Sequence, residues 1–328
     1  MKRKGRMIVA FSCLGVLVLT LLIYYFGAFY PKFNAHAKEK EFAIPGLNET
    51  FVPQGMDYYA EDEVFFVSGY MSDGSPSRIY VVDAKTGTTQ KYVTLKAGLD
   101  NYVEHAGGVA TDGTKFWIVG DKKLNTIDYA DLKNAQNGES VQIKSIIKTG
   151  NGCDFVYIYN DQLIVGEFYR DDAYETPEEH HIEVGDDEET KALGYIYDIN
   201  HSLPSGTSEG PKAVLSFPDQ AQGMVITKNS EGKEIVVIST SYSIPSSKII
   251  IFDNPLASES AKKITINGKE IPLYELNSNN KIETIKAPSM SEEMAVKDGR
   301  VYILFESACK KYRLVNRTRT KNVYSIEI

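Results

Sequence analysis

The side chains of this 328-residue chain best suited to chemistry fall at recurring positions, each at the opening or the close of a short apolar run. The openings carry Gln54, Glu104-His105, Asp154, Gln222 and Glu292-Glu293. The closings carry Tyr70, Asp121, Glu167, Tyr169, Arg170, Ser241, Tyr242, Glu306 and Ser307. Carboxylates and amides that converge on one place offer oxygen ligands to a hard cation such as calcium. The same groups could work as a general acid and base, or line a wet channel and contact a simple ligand. His105 adds a ready base or metal ligand, although no second histidine occupies a comparable slot. Glu167 and Glu306 close equivalent runs, and two carboxylates facing one another roughly 5–10 Å apart would suit glycoside hydrolysis. The sequence contains no Walker A motif, no zinc-ribbon cysteines and no G-x-S-x-G nucleophile elbow.

These positions are set by a repeat. Gln54-Gly55-Met56, Gly107-Gly108-Val109, Asp154-Phe155-Val156, Gln222-Gly223-Met224 and Glu292-Glu293-Met294 align as the first strands of five units. Each is followed by a turn rich in Asp, Asn, Glu and Gly, then by a second strand: Val64–Val67, Lys115–Val119, Gln162–Val165, Glu234–Ile238 and Arg300–Phe305. Third strands are expected at Ile79–Val82, Asn125–Ile127, Tyr195–Tyr197, Lys248–Phe252 and Asn322–Ile326. Four of them end on Asp83, Asp128, Asp198 or Asp253, where a carboxylate can accept backbone N–H bonds in the next turn. Fourth strands fit Gln90–Leu95, Val141–Lys148, Lys212–Phe217 and Ile271–Leu276.

The fifth unit lacks a fourth strand, while a spare strand, Glu41–Ile44, stands at the other end of the chain. A ring that uses the spare strand to complete the last sheet removes an open edge. The expected fold is therefore all-β: a five-bladed β-propeller closed by an N-terminal strand, covering about residues 38–328. In a propeller the starts of first strands and the loops after second strands share one face, close to the axis. That geometry would gather Gln54, Tyr70, His105, Asp154, Glu167, Tyr169, Gln222, Tyr242, Glu292 and Glu306 as the ligand-binding set.

Phe51-Val52-Pro53-Gln54-Gly55-Met56 and Gly108-Val109-Ala110-Thr111-Asp112-Gly113 resemble the blade starts of the glutaminyl cyclase (glutamine cyclotransferase) propellers. The general pattern of Phe155–Val165 resembles the third blade there, and the chain is also similar in style to lactonase-type propellers. The lactonase likeness would imply six blades and a central calcium. The cyclase likeness would imply a glutamate at the end of the first blade's second strand and a tryptophan-rich pocket. This chain has Ser68-Gly69-Tyr70 there and a single tryptophan, Trp117, so the cyclase activity is not carried over.

Ahead of the repeats, Lys2, Arg3, Lys4 and Arg6 precede an uncharged run from Met7 to Tyr30. About 20 apolar residues cross a bilayer as a helix, and basic residues stay cytoplasmic. Residues 1–37 are thus expected to be a basic tip and a transmembrane signal-anchor helix. It would hold the propeller at the cell membrane, single-pass, on the extracytoplasmic side, with Tyr24, Tyr25, Phe29 and Tyr30 at the outer interface. The competing reading is a signal peptide cleaved after Ala35-His36-Ala37. An oxidising compartment would permit a disulfide between Cys153 and Cys309, the two cysteines beyond that segment.

A net charge of −8 argues against nucleic acid, which needs a basic face. The loop Arg170–Ala192 carries ten acids and His180-His181, and reads as a solvated charge run or as a lid or docking arm. The functional expectation is a module that binds an envelope ligand, peptide or protein on its axial face. The alternative is an extracytoplasmic hydrolase or cyclase-like enzyme with a carboxylate/His or calcium site in the central pocket.

Overall fold

Alternating apolar and polar residues between tight turns make strands the main regular structure of the described residues. The computed structural model describes residues 14–20, 29–120, 122–148, 152–185, 188–260 and 262–328. Most of the expected anchor (residues 1–13 and 21–28), Asp121, and Asp186-Asp187 lie outside the described residues. Residues 14–20 are helical, and among the described residues no helix is long and apolar enough to cross a membrane.

After a short helix, α1 (Pro31–His36), the chain forms β1 (Ala37–Ala43) and then blade one from β2 (Phe51–Tyr59), β3 (Val64–Met71), β4 (Arg78–Asp83) and β5 (Thr89–Ala97), with β6 (Asp100–Asn101) on its rim. Blade two contains β7 (Val109–Thr111), β8 (Lys115–Gly120) and β9 (Lys123–Asp128). Helix α2 (Tyr129–Asn134) leads to β10 (Ser140–Gln142) and β11 (Ser145–Lys148). The single fourth strand expected over Val141–Lys148 is in fact divided: β10 adds parallel to β5 of blade one, and only β11 completes blade two.

Blade three uses β12 (Phe155–Tyr159), β13 (Gln162–Gly166), the small ribbon β14 (Ile182–Val184) and β15 (Glu188–Thr190) in its long loop, then β16 (Ala192–Asp198) and β17 (Ala213–Phe217). Blade four follows with β18 (Ala221–Lys228), β19 (Glu234–Thr240) and β20 (Ser247–Asp253), and the hairpin β21 (Lys262–Ile266) and β22 (Lys269–Glu275) comes next. The expectation that Ile271–Leu276 closes blade four is overturned. β22 pairs parallel to β17 at the edge of blade three, and β23 (Lys281–Ala287) is the outer strand of blade four. Two excursions of the chain thus cover neighbouring edges, which blunts outer strands that would otherwise be free to pair.

Blade five is β24 (Ser291–Lys297), β25 (Arg300–Phe305) and β26 (Asn322–Ile326), and β1 is its fourth strand, antiparallel to β26 with Ala43 opposite Asn322. The five-bladed ring is closed by the N-terminal strand. Every seam between blades is filled with apolar side chains. Phe42, Phe65, Ile285 and Phe305 belong to the filling around blades four, five and one, Phe66 and Phe116 to that of blades one and two, and Phe155 and Phe217 to that of blades three and four. Packing reaches back to α1, where Phe33 is buried edge-on to Phe305.

Three of the four third-strand aspartates do something other than cap their turns. Asp128 accepts from Lys115 Nζ (2.7 Å), Asp198 from Gln162 Nε2 (3.1 Å) and Asp253 from Lys233 Nζ (2.5 Å). Each pins the end of a third strand to the start of the second strand beside it. Only Asp83 takes the expected turn bonds, from the N–H groups of Lys85 and Thr86.

The expected disulfide does not form, and both cysteines are buried free thiols. Cys153 turns into the apolar seam with Trp117, Val119 and Val165, its thiol toward the Lys123 carbonyl at 3.5 Å. Cys309 sits in the loop after β25, its N–H bonded to the Glu306 carbonyl.

Candidate functional site: the axial cavity

The first strands meet at the axis because glycine lets them. A Cβ on Gly55 would stand 2.3 Å from the Gly107 carbonyl, and one on Gly223 would stand 2.7 Å from Glu293 Cα. The glycines of three of the five recurring motifs, Gly55, Gly108 and Gly223, therefore answer to close approach of backbones. Glu293 ties the ring together from inside: one carboxylate oxygen accepts the N–H groups of Met56 and Val109, both at 2.8 Å, and the other that of Val156 at 3.2 Å. Burial pushes this carboxyl well up, and the three N–H donors pull it back.

Above this hub lies a cavity of about 260 Å³. Gln54, His105, Asp154, Gln222, Tyr242, Glu292 and Glu306 all line it. These are seven of the ten residues selected from sequence, drawn from all five blades. The polar groups are organised around Glu306. Gln54 Nε2 donates to its Oε2 at 2.8 Å, and its carboxyl hydrogen-bonds that of Glu292. Burial raises Glu306 to about 8 and Glu292 well above its ordinary range, with the second carboxyl adding repulsion at Glu292. Protonation of the pair removes that repulsion. Asp154 is raised to about 7, again by burial, while its Oδ2 accepts the Phe168 N–H at 2.9 Å. His105 is pushed down to about 4 by burial and then by the Lys311 cation, so it is a neutral imidazole at pH 7.

Three selected residues stand elsewhere. Tyr70 supports the wall: its ring meets His105 edge-on at 4.4 Å, and its hydroxyl accepts from Lys311 Nζ at 2.7 Å. Glu167 faces away from the axis and is wholly buried; it accepts from Leu193 N (2.9 Å) and Tyr195 Oη (3.2 Å) and pairs with His180 Nδ1 (3.0 Å). The carboxylate partner of Glu306 is therefore Glu292, and the Glu167–Glu306 pair is corrected. The reason is strand geometry: Glu167 leaves β13 on the side of β16, toward the loop that carries His180. Tyr169 is buried under that same loop, bonded to Asp171 and edge-on to His181.

Sequence reasoning missed Phe168, Tyr174, Ser243, Met290 and Tyr312 as lining residues. Ser243 and Met290 hold positive φ (59° and 60°), strained for residues with a Cβ and typical of functional walls. Tyr174 and Tyr312 come from the two long loops after second strands, the one signal in the sequence that would have pointed to them.

Tyr242 is shared with a second hollow of about 720 Å³ between blades three and four, where Arg170 lies over its ring at 3.9 Å. Among the described residues no three His, Cys, Asp or Glu side chains are grouped to hold a metal ion.

No family model matches the chain, and no curated protein sequence matches it. Solved structures do resemble it. Glutaminyl cyclase of Myxococcus xanthus is 11% identical over 89% of this chain and 95% of that one, with a TM-score of 0.47. A Kuenenia stuttgartiensis hydrazine synthase chain is 11% identical over 84% and 83%, with a TM-score of 0.39. BamB from Moraxella catarrhalis is 10% identical over 84% and 83%, with a TM-score of 0.33. At these identities the likeness is one of fold.

Proposed function

We propose that the axial cavity binds a small polar ligand, or one small polar group of a larger envelope ligand, outside the membrane. The observation that carries this reading is the hydrogen-bonded Glu292–Glu306 pair, approached by Gln54 and open to a cavity walled by Phe168, Tyr174, Tyr242 and Tyr312. Its volume of about 260 Å³ lies at or below the range of roughly 300–1,000 Å³ that takes drug-sized ligands, so the bound moiety is of amino-acid or monosaccharide size. Aromatic walls with a few convergent polar groups are the composition of a recognition site.

The test is a thermal-shift panel of amino acids, dipeptides and monosaccharides on the full-length protein, repeated on Tyr242→Ala and Glu292→Gln. One class should raise the melting temperature of the parent and not of either variant. No shift from any class would sink the reading.

A second reading is enzymatic, and the carboxyl pair is what favours it. Burial raises both carboxyls, Glu306 to about 8, so at neutral pH the pair holds protons that it can donate as a general acid. Glu306→Gln would then abolish turnover of a ligand found by the panel without abolishing its binding.

The uncharged run from Met7 to Tyr30, with basic residues before it, supports the anchor. Resistance of the expressed protein to alkaline extraction from membranes, with the propeller accessible to protease from outside, is the expected result.

A further inference from the structure

We propose that the loop between β25 and β26 docks the propeller on an anionic phospholipid bilayer, with the mouth of the axial cavity turned toward it. Between Glu306 and Glu327 the chain carries Lys310, Lys311, Arg313, Arg317, Arg319 and Lys321 and no acid, in a protein of net charge −8. At the tip of this loop Leu314 and Val315 are 84% and 62% exposed, beside exposed Arg313. Apolar side chains bracketed by cations suit a bilayer interface, where the former enter the acyl boundary and the latter meet phosphates.

The loop also has places for headgroups. Arg313, Arg319 and Lys321 converge with Leu314 on a hollow of about 430 Å³. Arg317, Arg319 and Lys321 share another, of about 440 Å³, with Tyr30. Tyr30 is where the uncharged run ends, and its hydroxyl lies 3.4 Å from Ser246 Oγ, in the loop after β19. The end of the run, the basic loop and Tyr312 of the cavity wall are therefore on one face. The arm at blade three, residues 170–192, carries ten acids, whereas the blade-five loop carries none between Glu306 and Glu327. Contact is expected at the blade-five side.

The orientation toward the bilayer rests on the anchor reading above, whereas the lipid contact stands on the loop's own charge and exposure. The experiment reconstitutes the full-length protein in vesicles of phosphatidylcholine alone and of equimolar phosphatidylcholine and phosphatidylglycerol. Amide hydrogen exchange is followed across residues 307–321, with the opposite-face turn at 229–233 as control. Each Lys or Arg near an anionic surface is worth roughly a fivefold change in partition, so exchange in the loop should slow at least about fivefold with phosphatidylglycerol. High salt should reverse the effect, the control turn should not change, and the triple variant Arg313→Glu, Arg319→Glu, Lys321→Glu should lose the lipid difference. Equal exchange in the two lipids overturns the proposal, and if the variant misfolds, the salt reversal in the parent protein still decides. Alkaline extraction separates the two readings. A chain that is extracted refutes the anchor and the orientation with it, while slower loop exchange on adding phosphatidylglycerol vesicles still reports the lipid contact.

Discussion

Gly108 and Glu293 are so close that a methyl group on residue 108 would stand 2.4 Å from Glu293 Oε1. The same methyl would meet Phe155 Cα at 2.7 Å, backbone that cannot swing aside. Blades two, three and five therefore touch at one point on the axis, and the point is a carboxylate that bonds three inner strands.

Glu293→Ala leaves the N–H groups of Met56, Val109 and Val156 buried without their acceptor. Each orphaned group costs about 1–3 kcal/mol, so the variant should lose roughly 3 kcal/mol or more in urea unfolding. Gly108→Ala should lose about 1–3 kcal/mol by overpacking. Parent-like midpoints for both would show that the axis is not held this way.

The closure of the ring makes a separate forecast. Phe42 on β1 is buried against Phe65, with ring centroids 5.0 Å apart, across the seam between the first and last blades. Phe42→Ala removes that contact and leaves a cavity, at a cost of about 3–5 kcal/mol. Thermal unfolding should show the drop, and an unchanged melting curve would mean that β1 contributes little to closure.

The number of blades, the role of the N-terminal strand and the face of the cavity were legible in the sequence, because first strands repeat a short motif that opens on polar or glycine residues and second strands follow after short polar turns. The outer strands were not. Val141–Lys148 and Ile271–Leu276 carry the alternation of a strand, but alternation does not say which neighbour a strand will pair with, and β10 and β22 both add to the preceding blade. The same limit explains Glu167. Its position at the end of β13 matches that of Glu306 at the end of β25, yet the loop that follows supplies His180 as a partner and turns it from the axis. Loop-borne partners such as Tyr174 and Tyr312 follow no repeat, so periodicity is blind to them.

The contact between Glu167 and His180 also makes the acidic arm a fixed structure over its described residues. His180 sits in a single 3₁₀ turn, buried beside Tyr195, and is followed by the β14–β15 ribbon. His180→Ala should leave Glu167 with two donors and a void where the imidazole was, costing about 1–3 kcal/mol. Limited proteolysis should then cut within residues 170–191 faster than in the parent protein. Equal cutting would show that the arm is held by something else.

The axial carboxyls set an unusual pH dependence. Folding raises Asp57, a residue of β2 that accepts the Thr111 N–H, and Asp154 from 3.8 to about 7, and Glu306 from 4.5 to about 8, chiefly by burial. Between those values the folded chain keeps protons that the unfolded chain has released, so these groups stabilise the fold fully at low pH, and the contribution is lost as pH rises toward 8. His105 works in the opposite sense: its fall from 6.5 to about 4 withdraws stability as pH drops through 6.5 toward 4. From pH 6.5 to 8 the three carboxyls outweigh His105. Urea unfolding of the ligand-free protein should therefore show at least about 1 kcal/mol less stability at pH 8 than at pH 6.5, since each tenfold difference in proton affinity between the folded and unfolded chain corresponds to about 1.4 kcal/mol. Glu306→Gln removes one titrating group and relieves Glu292, so it should be more stable than the parent at pH 8 and show a shallower slope. A parent protein as stable at pH 8 as at 6.5, or a variant with the parent's slope, would mean that burial does not hold these carboxyls protonated in the folded protein.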